Sequence, residues 1–94
     1  MDPAQAARAI IDANAYMTLA TADAGGTPWA SPVWFAPTPD GALVWISKPG
    51  ARHSLNVAQR PQAGIVIFDS TQPPGTGSGV YAEATVEEVP EQEI

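Results

Sequence analysis

The 94-residue chain has no cysteine and one histidine, His53. It therefore cannot build disulfides or iron–sulfur ligation, and a structural zinc site lacks ligands. The absence of thiols fits a reducing cytoplasm, the compartment expected here. Basic residues are scarce too: four Lys and Arg against ten Asp and Glu give a formal charge of −6 and a pI near 4.3. Nucleic acid, which is held through clustered Lys and Arg, is not an expected partner. No apolar run approaches the ~18 residues of a membrane span. The opening MDPAQAARAII has no basic leader before a hydrophobic core. Neither a membrane segment nor a secretory signal is expected.

The scarce charges are unevenly placed. Glu83, Glu87, Glu88, Glu91 and Glu93 are half of the ten acids and crowd the end of the chain, so the remainder is nearly neutral. Three of the four basic residues, Lys48, Arg52 and Arg60, fall with His53 inside SKPGARHSLNVAQRP. The chain reads as one small domain, residues 1–94, burying only somewhat over ~60% of its unfolded surface. A partner subunit or cofactor would add needed stability.

The hydrophobic period predicts the elements. Asp2, Pro3 and Gln5 form a helix start of the capping-box type, with Ala4, Ala7, Ile10 and Ile11 on one face. From Tyr16 the period becomes two. YMTLATA is a strand, DAGG at Asp23–Gly26 a turn, and TPWASPVWFAP a second strand completing a hairpin. Pro28 and Pro32 cannot donate ladder hydrogen bonds, so parts of that strand belong at an edge or beside a ligand. ALVWIS is a third strand, Ala51 to Gln59 a short helix stopped by Pro61, and QAGIVIFDS a fourth, central strand. TQPPGTGSG is a loop, and VYAEATVEEV a last strand with Val80, Ala82, Ala84 and Val86 inward. Pro90 followed by EQE resembles the first turn of another helix, so the chain is expected to be a fragment or a shortened relative of a longer protein. Together these predict a mainly β protein, a small antiparallel barrel with an N-terminal helix, one short inserted helix and a truncated C-terminus.

Two accounts of the basic stretch are open: a solvated helix, or an anion site. Its position favours the second. The helix begins after the turn KPG, where backbone N–H groups lack partners, and its first residues add Arg52 and His53. A phosphate is the natural guest, and Asn56, one turn beyond His53, could reach it. Trp29, Trp34, Phe35 and Trp45 lie on neighbouring strands. Core packing accounts for at least two of them, and the others offer flat surfaces to a planar ring. A phosphorylated aromatic cofactor suits both features.

The ordered set YMTLAT, a glycine turn, GTPWASPVWFA, DGALVWIS, ARHSLNVAQRP and AGIVIFDS resembles the flavin-binding split barrel of the pyridoxamine 5′-phosphate oxidase-related family. The resemblance covers roughly Ala15 to Val89. It implies a homodimer with flavin mononucleotide (FMN) between subunits. Ser31, Pro32, Val33 and Trp34 would lie along the isoalloxazine ring and offer backbone hydrogen bonds. Trp45, Ile46 and Ser47 would flank the ribityl chain, and Arg52 and His53 would hold the phosphate. The family's oxidases carry basic residues flanking the ring-side strand segment, where this chain has Ser31 and Ala36, so pyridoxamine phosphate oxidation itself is not expected.

Other sites fail on context. GTGSG is not set between a strand and a helix, Ser78 has no G-x-S-x-G, and Glu87 and Glu88 would point to opposite faces of a strand. Three functions stay open: an FMN-dependent oxidoreductase on an unidentified small substrate, the same fold with a deazaflavin, or a flavin-binding or storage module without turnover. No side chain stands out as a catalytic acid.

Overall fold

The computed structural model describes residues 2–90; the expected helix turn at EQE lies outside the described residues. Asp2 caps α1 (Pro3–Ala13): its Oδ1 accepts from the Gln5 N–H at 2.8 Å, and Gln5 Oε1 accepts from the Asp2 N–H at 3.1 Å. Ala6, Ala7, Ile10 and Ile11 turn inward. Ala4, expected on that face, is exposed, because α1 meets the sheet one position further round. Asn14 ends the helix and donates from Nδ2 to Ile10 O at 2.8 Å.

The strands are β1 (Tyr16–Ala22), β2 (Pro28–Pro37), β3 (Leu43–Trp45), β4 (Gln62–Phe68) and β5 (Gly79–Thr85), with α2 (Arg52–Gln59) between β3 and β4. They form one antiparallel sheet in the order β3-β2-β1-β4-β5. Curled around its core, the sheet is a half-barrel. β4 is paired on both sides, as its apolar run requires, but the middle strand is β1, not β4. The β1–β2 turn is fastened by Asp23, whose Oδ1 accepts from the Gly25 and Thr27 N–H groups at 2.9 Å, and Gly26 takes a φ of 91° that a side chain would resist.

Strand alternation divides the sheet into two faces. Met17, Leu19, Val33, Phe35, Ala63, Ile65 and Ile67 pack the inner face, with Trp45, Leu43, Ile10 and Ile11 against them. The helices cover this side, α1 over β4 and β5 and α2 over β1 and β2. The opposite face is open. It carries Tyr16, Thr18, Ala20, Ala30, Pro32, Trp34, Gly64, Val66, Phe68 and Tyr81.

Two strands are shorter than the alternation suggests. β3 ends at Trp45 rather than Ser47: the chain leaves the ladder, Ile46 is 87% exposed, and Ser47 turns toward α2. β5 ends at Thr85 because its partner does; β4 begins at Gln62, and Pro61 offers only a carbonyl, which accepts from the Val86 N–H at 2.8 Å. Glu87 and Glu88 therefore follow the strand instead of alternating along it. Among the described residues, no helix is long and apolar enough to cross a membrane.

Candidate functional site

The prolines of β2 stand where they cost no ladder bond. Phe35 N–H donates to Ala15 O at 3.0 Å, so odd-numbered residues of this strand point their backbone groups toward β1 and even-numbered ones point away. Pro28 and Pro32 are even. β3 pairs only with Phe35–Pro37, and no described strand covers the outer edge of Pro28–Trp34. That edge offers the N–H groups of Ala30 and Trp34 and the carbonyls of Pro28, Ala30, Pro32 and Trp34. The expectation that this proline-bearing segment lies at an edge holds.

α2 docks on the β1–β2 hairpin through a polar stripe with the spacing i, i+4, i+8. Arg52 places its guanidinium carbon 4.1 Å from the centroid of the Trp29 ring. Asn56, 5% exposed, donates from Nδ2 to Thr21 Oγ1 at 3.0 Å, and Thr21 Oγ1 donates in turn to Trp29 O at 3.5 Å. Arg60 donates from Nη2 to Ala24 O at 3.0 Å. Asn56 is thus committed to the core side and does not face the helix start, contrary to its expected reach toward the ligand. Its loss has a calculable effect: Asn56→Ala removes the donor to the buried Thr21 hydroxyl and lowers unfolding free energy by about 1–3 kcal/mol, measured by chemical denaturation.

The start of α2 is uncapped. Ala51, the N-cap, has no side-chain oxygen, so the first N–H groups of the helix are not satisfied by a cap. Arg52 is exposed there, and the half-buried His53 is hydrogen-bonded through Nε2 to Ser47 Oγ at 2.7 Å. Ser47 and His53 therefore come together, while the adjacent Arg52 lies over Trp29. The Asp23 carboxyl at the hairpin turn is held below the usual carboxylate range by the Thr27 N–H first, then by the Gly25 and Gly26 N–H groups, with the Arg52 charge adding to them.

The other expected residues separate by face. Val33 is buried in the core, so only its backbone could meet a ligand, and that backbone faces β1. Ser31 is half-buried on the inner face, Pro32 is exposed on the open one, and Trp45 packs on the core. Trp34 is 70% exposed and stacks with Tyr16 at 6.3 Å between centroids. Phe35 and Trp45 are thus the core aromatics, while Trp29 and Trp34 keep exposed surface. Among the described residues no cluster of His, Cys, Asp and Glu could hold a metal ion.

With this geometry in view, a family model described as pyridoxamine 5′-phosphate oxidase matches residues 3–94, and the chain belongs to that family. Among solved structures it is similar to a heme binding protein from Mycobacterium smegmatis, at 30% identity and a TM-score of 0.84, over 99% of this chain and 39% of that one. It is also similar to HutZ, the heme storage protein from Vibrio cholerae, at 24% identity and a TM-score of 0.78, over 98% of this chain and 68% of that one. The latter likeness establishes the split-barrel fold alone. This chain spans well under half of the Mycobacterium protein. No curated protein matches.

Proposed function

We propose that the chain binds FMN at the start of α2 and along the free edge of β2, and acts as an oxidoreductase on a small substrate. One observation carries the reading: the uncapped start of α2 carries Arg52 and the Ser47-bonded His53 in succession, and the Arg52 guanidinium lies over Trp29 where the unpaired β2 edge begins. The residues fit a phosphate ester, since an exposed guanidinium and a helix N-terminus both favour a dianion. The Ala30 and Trp34 N–H groups face outward along the edge, where a ring could meet them. When bound, the isoalloxazine supplies the electron transfer. The chain's part is to bind, orient and shield it. A deazaflavin, with its longer acidic tail, suits the few basic residues less well.

A second reading, a binding or storage module without turnover, is favoured by the heme-related names of the two similar structures. For heme itself the described side chains fit poorly. His53 has its Nε2 engaged by Ser47, Met17 is sealed in the core, and only the phenols of Tyr16 and Tyr81 are freely exposed. The experiment is to purify the protein, take the visible spectrum and mass of the released cofactor, and mix it anaerobically with reduced nicotinamide. Flavin mass with bleaching and reoxidation in air supports the enzyme. An inert yellow protein supports the module, and a Soret band with heme mass overturns the flavin assignment.

A further inference from the structure

We propose that Trp29 is a positioning residue of the anion site: its indole fixes the plane of the Arg52 guanidinium at the start of α2. The inference rests on the phosphate reading above.

An exposed Arg side chain samples many rotamers, and each must be frozen out when it grips an anion. Stacking changes that cost. The guanidinium carbon lies 4.1 Å from the indole centroid, close enough for a cation–π contact, and a guanidinium held face-on there would keep its in-plane N–H donors for an anion. The indole is itself well anchored. Trp29 pairs with Thr21 across the hairpin, and the Thr21 hydroxyl joins the Trp29 carbonyl to the buried Asn56 amide of α2. The same contacts that dock the helix thus set the height of the ring beneath Arg52, one turn before Asn56. A carboxylate that feels the Arg52 charge, Asp23, lies at the hairpin turn and is the competing partner. Without the ring, the guanidinium is free to swing toward the hairpin turn and away from the helix N-terminus.

The test compares FMN with riboflavin, which lacks the phosphate, on wild type, Trp29→Ala, Trp29→Phe and Arg52→Ala. Melting curves establish that each variant is folded. The readout is the affinity ratio of the two ligands, which a merely structural role does not move. Trp29→Ala is expected to reduce the preference for FMN about three- to fivefold with riboflavin affinity unchanged, and Trp29→Phe to restore most of it. If Trp29→Ala weakens both ligands equally, Trp29 supports the ring or the fold, and the inference falls. It falls alone if Arg52→Ala abolishes the preference while both Trp29 variants keep it. If wild type shows no preference, the phosphate reading itself fails and takes this inference with it.

Discussion

Arg52→Ala is expected to weaken FMN binding by about one to two orders of magnitude and to leave riboflavin binding unchanged. The arginine contributes a charge-assisted hydrogen bond and positive potential at a helix start whose N–H groups already favour an anion, together worth roughly 1.5–3 kcal/mol. Its exposure places the expected loss near the lower end of that range. Selectivity separates the possible roles. Arg52 also stacks on Trp29, so a residue that merely docked α2 would weaken both ligands alike when removed. If neither affinity changes, the basic stretch is a solvated helix and the phosphate lies elsewhere. Titrations of both ligands, followed by flavin fluorescence, distinguish the three results.

The second large effect concerns assembly. The open sheet face carries Tyr16, Trp34, Phe68 and Tyr81, the last 82% exposed, around a floor of Ala20, Ala30, Gly64 and Val66. Its one acid within the sheet is Glu83, beside a shallow groove lined by Thr18, Ala20, Gly64, Val66 and Tyr81. Apolar patches of this kind are uncommon on monomers, and a second copy of the same face is the occupant we propose. Light scattering at micromolar concentration is expected to give the mass of two chains. Ala20→Glu, in the middle strand with its side chain outward, is expected to give one. The glutamate is solvated in a single chain but buried unpaired in a dimer, at a cost of several kcal/mol. A wild-type mass of one chain with flavin present contradicts the proposal. A dimer unmoved by Ala20→Glu places the interface on another face.

The elements whose causes are local were legible from the residues. Asp2 and Gln5 announce a capping box, Asp23–Gly26 a turn, and the alternation in YMTLATA gives β1 its observed bounds. Ends set by a distant partner were not. β5 stops at Thr85 because Pro61, just before β4, has no N–H, and β3 stops at Trp45, with Ser47 bonded to His53 instead. Which of the four aromatic residues enter the core depends on register, and here they are Phe35 and Trp45.

Within the candidate site, Arg52 and His53 stand out through the scarcity of basic residues, whereas the contact that Asn56 makes is not legible. A polar residue one turn past two bases reads as a ligand contact, yet it docks α2 through Thr21, 35 positions earlier. Apolar periodicity carries no trace of a helix held by Arg52, Asn56 and Arg60. The signal that could have found the contact is the hairpin turn: it pairs Ala22 with Pro28 and hence Thr21 with Trp29, beneath one stripe of the helix.

On the proposed reading, Arg52 and His53 serve one phosphate ester, while Arg60 docks the helix. Titrating the unmodified protein with FMN and with riboflavin tests it most directly. The account predicts that FMN is retained, with its fluorescence strongly quenched by a nearby Trp, and that it binds at least tenfold more tightly than riboflavin. Equal affinity for the two flavins, or no quenching and no retention of FMN, contradicts it.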